Sequence, residues 1–325
     1  MKETTKRKLI PLSYDLVFKK MFGDNEHKER VSYLVSIVLE IPYKEVVNSI
    51  ELMPTEKRIR NKNDKRQAQD VIVRIVLSLN KRVSIEMNMN YNETYRNRNL
   101  SYLAGMYSNQ LKNKEDYSKL EPCIQINFNR VFTDDKNKEI YDEYLLRNRY
   151  GYELTEKFKI ININIDECHN IVYNNKIEKY DDKMKEIIRN GAMMMETDYD
   201  NLKGMLEDFK MEEEVKEDIL GAMEEYSEDE EIGMWYDEEQ NRRALYLGTL
   251  NEEKEKAQKE GREAGKKEGI KEGIKEGIKE GIKEGIKEEK INIAKHMLKD
   301  NAKIELISKY TGLTEAEIKR MGSEN

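Results

Sequence analysis

The sequence predicts an α/β fold for the first half of the chain, a mixed sheet flanked by helices, followed by an all-α, highly charged C-terminal extension. Stretches rich in β-branched residues alternate with amphipathic helical patterns up to about residue 180, and no strand pattern returns after that point. A tetrapeptide repeat occupies residues 269–288. Charged residues make up 38% of the chain, so much of its length must be solvent-facing helix or linker.

Four segments are predicted along the chain. The α/β domain is expected over residues 1–180, an acidic helical segment over 181–250, a repeat helix or linker over 251–290, and a small helical tail over 291–325. The tail has a helix-turn-helix-like outline, but such outlines are common in small helical caps, and a cap is the favoured interpretation.

The N-terminal region is predicted to be helical. Apolar residues spaced along 14–22 form the stripe of a helix packed on one face, and Ser13 could cap it. A second helix follows Gly23 and stops near Pro42.

Four strands are predicted next, with one long helix among them. Residues 70–79 are almost all β-branched or large, which is typical of a strand buried on both faces. Residues 83–88 alternate between apolar and polar, and an amphipathic helix covers about 95–111. The remaining two strands are expected at 122–128 and 158–165.

The extension has two unusual segments. Residues 196–231 carry 16 acidic and 3 basic side chains, a local charge of −13 that leaves +6 for the rest of the chain, so the net charge of −7 does not exclude a nucleic-acid partner. Residues 269–288 are five identical Gly-Ile-Lys-Glu units, whose isoleucine row drifts by about 40° per repeat. The repeats place a glycine at every fourth position, and each glycine in a helix lowers helix stability by roughly 1 kcal/mol relative to alanine. A solvated spacer is therefore favoured over an oligomerisation element, although self-association through 259–290 stays open.

Several classes of protein are not indicated. The N-terminus is polar, leads into no apolar signal segment, and no stretch could span a bilayer, so we expect a cytoplasmic protein with no membrane partner. Cys123 and Cys168 cannot form a disulfide framework, and three scattered histidines show no zinc spacing.

One acidic pair could carry chemistry. Hydrolysing a phosphodiester at neutral pH requires a hydroxide nucleophile and neutralisation of phosphate charge, which one or two Mg²⁺ ions supply. Mg²⁺ needs only one or two carboxylates. Asp70 opens a buried strand and Glu86 lies on the next, so the two fit this requirement. The alternative is that Glu86 faces solvent or pairs with Arg74, and the two acids alone are a weak motif.

A resemblance to a known family strengthens the first interpretation. The order and spacing of several blocks resemble those of the PD-(D/E)XK nuclease family transposases, also called recombination-promoting nucleases, over about residues 9–170. The blocks are residues 14–23, Asp70, residues 83–88, Arg98, Tyr102, residues 107–111, Tyr117 and Pro122. The repeats and the tail are also similar to the family's usual C-terminal extension.

The resemblance implies a Mg²⁺-dependent DNA endonuclease on a restriction-endonuclease-like core of helix, three antiparallel strands, helix and a further strand. It implies that Asp70 and Glu86 are metal ligands, with the backbone carbonyl of Met87 as a third and Asp15 as an acidic helper. Asp15 could equally cap the helix or pair with Lys19.

The sequence departs from this family at Asn88. The superfamily has Lys there and this branch usually has Gln, whereas Asn can hydrogen-bond water but supplies no positive charge. Asn88 therefore favours a catalytically weak or inactive protein. Arg74 shares a strand face with Asp70 and is a candidate replacement cation, and a structural ion pair is the alternative.

The hairpin register tests whether the acids can share a metal. A two-residue loop at Asn80-Lys81 would make paired residue numbers sum to 161 and place the acids on opposite faces. A three-residue loop at residues 78–80 would make them sum to 158, with Asp70 opposite Asn88 and Ile72 opposite Glu86. We predict the second register.

Basic residues near the acids could bind DNA phosphates with little sequence specificity. The candidates are Arg60, Arg66, Arg74, Arg96 and Arg98. Two hypotheses compete with a DNA nuclease: a catalytically weak or inactive nuclease-fold protein that binds DNA or self-associates, which Asn88 favours, and a nuclease that acts on RNA. A further hypothesis is that the acidic segment 196–231 shields the basic site.

Overall fold

One six-stranded mixed sheet organises the first compact unit of the chain. The computed structural model describes residues 8–55, 69–76, 80–91, 93–111, 115–131 and 139–323. The chain divides into a unit of residues 1–240, which holds the sheet, and a unit of residues 241–325. The strands are β1 (Ile50–Met53), β2 (Val71–Ile75), β3 (Lys81–Tyr91), β4 (Cys123–Val131), β5 (Tyr141–Arg147) and β6 (Glu153–Asn164).

The strand order is β1-β2-β3-β4-β6-β5. Strands β1, β2 and β3 are antiparallel, β3, β4 and β6 run parallel, and β5 returns antiparallel to β6. Parallel neighbours need a crossover, which a helix supplies between β3 and β4. The mixed sheet flanked by helices that the sequence predicts is therefore confirmed.

Eleven α-helices lie in the described residues. They are α1 (Asp15–Phe22), α2 (Lys28–Leu39), α3 (Tyr43–Ser49), α4 (Glu93–Ser108), α5 (Ile165–Tyr173), α6 (Asp182–Met193), α7 (Tyr199–Glu207), α8 (Glu213–Glu228), α9 (Glu230–Lys299), α10 (Ile304–Thr311) and α11 (Glu315–Ser323). None of the helices described is both long enough and apolar enough to cross a membrane.

The two faces of the sheet differ sharply. On one face, alternate residues of the central strands, such as Val73, Ile85 and Ile126, are fully buried and join the main hydrophobic core. Helix α1 contributes Phe18, whose ring lies 6.4 Å from that of Phe128 on β4. The opposite face is polar and buried beneath α4. This polar face carries the residues that the sequence nominates for chemistry.

Three local predictions are corrected. Ser13 does not cap α1, because the capping position is Tyr14, whose side chain makes no capping hydrogen bond. Strands β1 and β5 are absent from the predicted set. Neither strand has a clear sequence pattern. β1 is four residues long and ends beside Pro54. β5 is an edge strand with charged residues on its core-facing side, such as Glu143.

The acidic segment packs onto the α/β core. Apolar residues at helical spacing in α7 and α8, including Leu202 and Met223, are fully buried. Arg30 of α2, also buried, makes two hydrogen bonds of 2.6 and 2.7 Å to the carboxylate of Asp218 on α8. The predicted boundary at residue 180 therefore does not coincide with the end of the compact unit at residue 240. Deleting 196–231 would therefore remove core residues, and the shielding of the basic site by this segment stays a prediction.

The second unit is entirely helical where described. Helix α9 continues through the repeats, and the five repeat isoleucines stay 54–58% exposed. The end of α9 packs with α10 and α11 around Ala294, Ile307 and Ile318. Thr314 caps α11 by accepting from the backbone N–H of Glu317, and the Glu317 carboxylate accepts from the backbone N–H of Thr314 at 2.8 Å, which makes a reciprocal cap.

Candidate active site

The β2–β3 register places the acid pair on one face. Val71 lies opposite Ile85 and Val73 opposite Val83, so paired residue numbers sum to 156. The predicted sum of 158 is wrong, because β2 ends at Ile75 and the connection spans residues 76–80, of which 77–79 lie outside the described residues. The predicted and observed sums differ by two, and a register shift of two residues keeps every side chain on the same face of the sheet. Asp70 and Glu86 therefore still share a face.

Continuing this register by one residue places Asp70 opposite Glu86. The backbone N–H of Asp70 donates to Glu86 Oε1 at 3.3 Å, and the backbone N–H of Met87 donates to Asp70 Oδ2 at 2.8 Å. The side chain of Glu86 is 1% exposed and that of Asp70 is 9% exposed. Two carboxylates are thus held together away from water.

The surroundings of the acid pair disfavour its charged form. Burial raises the pKa of Glu86, and the neighbouring Asp70 raises it further, while Arg98 opposes the shift. Burial likewise raises the pKa of Asp70, with the charge of Asp15 adding to the effect and Lys19 opposing it. Carboxylates in this situation are stabilised by a bound cation.

Lys19 lies in the site although the sequence analysis does not nominate it. Its Nζ is 3.3 Å from Asp70 Oδ1 and 2.7 Å from Asp15 Oδ2. Asp15 therefore forms the ion pair with Lys19 that was one of its predicted alternatives. The i,i+4 spacing of Asp15 and Lys19 is visible in the sequence, but the position of α1 over the end of β2 is not.

Arg98 of α4 reaches the other side of the acid pair. Its Nη2 donates to Asn88 Oδ1 at 2.6 Å and lies 3.8 Å from Glu86 Oε2. The guanidinium stacks on Tyr95 at 4.4 Å from the ring centre. Asn88 is fully buried and donates to Asn129 Oδ1 at 2.8 Å, so it holds Arg98 within the site.

A buried row of amides continues from the acid pair across the sheet. Asn127 pairs in register with Glu86 on one side and with Asn162 on the other. Asn99 of α4 donates to Asn127 at 3.0 Å, and Gln125 does so at the same distance. The alternation of Gln125, Asn127 and Asn129 within an apolar strand was the available signal, since amides at a period of two line one face.

The other predicted residues lie elsewhere. Arg74, the candidate replacement cation, is at the far end of β2, where it pairs with Glu121 and lies 3.7 Å from Glu51. Arg74 therefore forms the structural ion pair that was the predicted alternative to a role as replacement cation. Arg96 is exposed on α4, and Arg60 and Arg66 lie outside the described residues.

The donor set is small but suited to a hard divalent cation. Among the residues that the structure describes, no group of three or more His, Cys, Asp and Glu side chains converges for metal binding. The two carboxylates, Asp70 and Glu86, form the acidic donor set beside Lys19. Mg²⁺ is held by one or two carboxylates and keeps several waters, so this set fits it.

Comparison with protein-family models identifies the fold. The model for the PD-(D/E)XK nuclease family transposases matches residues 12–244, which is most of the chain. The chain belongs to this family. Comparisons with curated proteins and with solved structures gave no match.

Membership of the PD-(D/E)XK nuclease family transposases agrees with the architecture. The matched range includes the sheet, α4 and helices α6 to α8, consistent with a restriction-endonuclease-like fold. Membership supports a nuclease role associated with transposition, and nucleases of this kind generally use divalent metals.

Proposed function

We propose that this protein is a Mg²⁺-dependent DNA endonuclease that hydrolyses phosphodiester bonds with low sequence specificity during transposition or recombination. The buried pair of Asp70 and Glu86, whose charged form is disfavoured by burial, carries the proposal. Buried carboxylates whose pKa values are raised reduce stability, and such groups cluster at functional sites.

Asp70 and Glu86 would hold the metal, with the backbone carbonyl of Met87 as a third ligand. When bound, Mg²⁺ lowers the pKa of a water molecule and neutralises charge on the phosphate. The hydrogen bond from the Met87 N–H to Asp70 fixes that carboxylate toward Glu86 before any ligand arrives. Such preorganisation reduces the cost of assembling the site.

Lys19 would supply the positive charge that Lys at position 88 provides in the wider superfamily. Its side chain is 39% exposed, so its ammonium can contact a phosphate while remaining near Asp70. Asp15 then acts as a positioning residue for Lys19. This role makes Asn88 compatible with activity, because the missing charge is supplied from α1.

Arg98 would stabilise the orientation of Glu86 at the other edge of the pair. Its contacts with Asn88 and Tyr95 fix the guanidinium, and its long contact with Glu86 leaves that carboxylate oxygen able to bind a metal.

DNA would be bound mainly through its backbone. Arg96 at the start of α4, together with Arg60 and Arg66, would contact phosphates, and such contacts carry little sequence information. Self-association through residues 259–290 is a separate proposal, supported by the exposed isoleucine row. Sedimentation of the full chain would test it, and a monomer at all concentrations would exclude it.

A non-catalytic DNA-binding or self-associating module is the second candidate. The complete burial of Asn88 in an amide network favours it, because a residue held on both sides cannot reach a substrate.

Nicking of supercoiled plasmid by the full chain separates the candidates. We expect cleavage by the wild type with Mg²⁺ or Mn²⁺, its loss on chelation, and its loss in Asp70→Ala and Glu86→Ala. Glu51→Ala is the matched control, because Glu51 is an exposed acid on the adjacent strand β1. Cleavage of neither DNA nor RNA under any divalent metal would overturn the nuclease proposal, and cleavage of RNA alone would overturn the DNA substrate.

A further inference from the structure

A cavity lies beside the acid pair and has no part in the proposed hydrolysis. It has a volume of about 270 Å³ and lies between the start of α4 and strands β4, β5 and β6. Amide and aromatic side chains form much of its wall. They are Asn97, Asn99, Asn127, Asn162, Tyr144 and Phe158. This cavity is called the amide cavity below.

The amide cavity opens on the same face of the sheet as the acid pair. Asn127, one of its wall residues, is the direct neighbour of Glu86 on the adjacent strand. Neighbouring strands are about 4.8 Å apart. This separation is comparable with the rise per nucleotide along one DNA strand, about 3.4 Å. A nucleotide next to a phosphate at the acid pair can therefore reach the amide cavity.

Two side-chain oxygens in the hydrogen-bond network beside the cavity have no donor among the described residues. Asn99 and Gln125 both donate to Asn127 Oδ1, which directs their amide nitrogens toward the same atom. Asn99 Oδ1, on a wall residue, and Gln125 Oε1, on a residue that hydrogen-bonds to the wall residue Asn127, are buried and accept no hydrogen bond from the described residues. Buried polar atoms are rarely left without a partner. A ligand with N–H groups on its edge would supply donors at this end of the network.

Apart from Arg96, the remaining wall is apolar and preformed. Phe158 is held edge-to-face against Tyr107 of α4, with ring centres 5.9 Å apart. Leu100 and Tyr144, each about half exposed, flank the opening. A planar ring with a polar edge matches this combination, because its faces can pack on apolar and aromatic side chains while its edge meets the amides.

We propose that the amide cavity binds one unpaired nucleobase of the nucleic acid that is cut. The proposal rests on the nuclease function proposed above. A base in an intact duplex is stacked and paired, and freeing it requires energy that a mismatch or gap reduces. The protein is therefore selective for DNA structure, and prefers duplexes in which one base next to the scissile phosphate can leave the helix.

Binding of the full chain to two duplexes tests this. The duplexes have the same length and differ only in one central mismatch, and Ca²⁺ replaces Mg²⁺ to prevent cleavage. We expect the wild type to bind the mismatched duplex more tightly by on the order of tenfold. Leu100→Trp, which fills the amide cavity from an exposed position on α4, should lose this preference. Ala104→Trp, exposed one turn further along the same helix and outside the cavity wall, should keep it.

A second readout does not depend on either variant. The base analogue 2-aminopurine, placed at the mismatch, should change fluorescence on binding to the wild type if it leaves the stack. Equal affinity for the two duplexes, or an unchanged fluorescence signal with DNA bound, would overturn the cavity proposal and leave the nuclease proposal intact. Absence of binding to both duplexes would overturn the proposed function itself.

Discussion

Two charged clusters lie on the same face of β2 and β3, at opposite ends of the strands. At one end Glu121 accepts hydrogen bonds from Arg74, Arg82 and Asn80, and hydrogen bonding from Arg74 leads the effects that lower its pKa to about 2. At the other end lies the acid pair Asp70 and Glu86, in which burial raises both pKa values.

The difference between the clusters separates a structural role from a functional one. In the Glu121 cluster, two arginines and one amide donate to a single carboxylate, which is stabilised by folding. In the acid pair, burial outweighs the contacts with Lys19 and Arg98, so the folded protein would be more stable without those charges. Proteins keep such costs mainly where function requires them. The variants below each change a residue in or near one of the two clusters.

The largest effect is expected for Lys19. Lys19→Ala should lower the rate of DNA cleavage by about 10²- to 10³-fold, the size seen when one preorganised charge or donor is removed from an active site. Lys19→Arg should restore part of the rate because it retains the charge.

Lys20→Ala, which removes a neighbouring exposed cation from α1, is the control and should leave the rate near that of the wild type. The rates are compared at saturating Mg²⁺, so that an effect on metal binding alone does not contribute. A Lys19→Ala protein with the wild-type rate would remove Lys19 from the proposed site.

The Glu121 cluster should affect stability and not cleavage. Glu121→Gln is expected to lower the free energy of unfolding by about 1 to 2 kcal/mol at pH 7, because charge-assisted hydrogen bonds to two arginines are weakened. The pKa of Glu121 is lowered by folding, so its contribution is present above the ordinary carboxyl pKa and is lost as the pH falls toward about 2.

Urea denaturation of wild type and Glu121→Gln at pH 7 and pH 3 measures this contribution. The difference between the two proteins should shrink at the lower pH. A difference that does not change with pH would mean that Glu121 stabilises the fold by packing instead of charge.

Removing a charge from the acid pair should change the free energy of unfolding in the opposite direction. Glu86→Gln is expected to raise the free energy of unfolding of the metal-free protein by about 1 kcal/mol or more at pH 8. Because folding raises the pKa of Glu86, the cost of its charge is present at high pH and disappears as the pH falls below the ordinary carboxyl pKa.

Thermal or urea unfolding in the presence of a chelator checks this, with Glu51→Gln as the exposed control. Destabilisation by Glu86→Gln would show that the glutamate is a structural ion-pair partner, which would place the two clusters in the same class.

The smallest effect is expected at the edge of the site. Arg96→Ala should weaken DNA binding at moderate salt by a few-fold and reduce the slope of log affinity against log salt by about 1, the value for one lost phosphate contact. An unchanged slope in a titration from low to moderate salt would mean that Arg96 does not contact the DNA backbone.

The sequence was sufficient to predict the elements that local pattern determines. The central strands follow from the β-branched run after Asp70 and from the alternation around Glu86, and α4 follows from its apolar spacing. Edge strands such as β5 lack such a pattern, because one of their sides is left without a sheet partner.

The site was predictable only in part, because it is assembled from distant segments. Both acids could be nominated from the sequence, but the loop length that sets their register could not, and the predicted register is wrong by two residues. Lys19 depends on how α1 packs over the sheet, and the pairing of Arg74 with Glu121 joins residues 47 positions apart. Neither contact leaves a local signal.

Direct measurement of metal binding tests the central claim that Asp70 and Glu86 form one divalent-cation site. Calorimetric titration of the full chain with Mg²⁺ or Mn²⁺ should show saturable binding to the wild type and to Glu51→Gln, and none to Glu86→Gln or Asp70→Asn. Absence of binding to the wild type, or equal binding to Glu86→Gln, would contradict it.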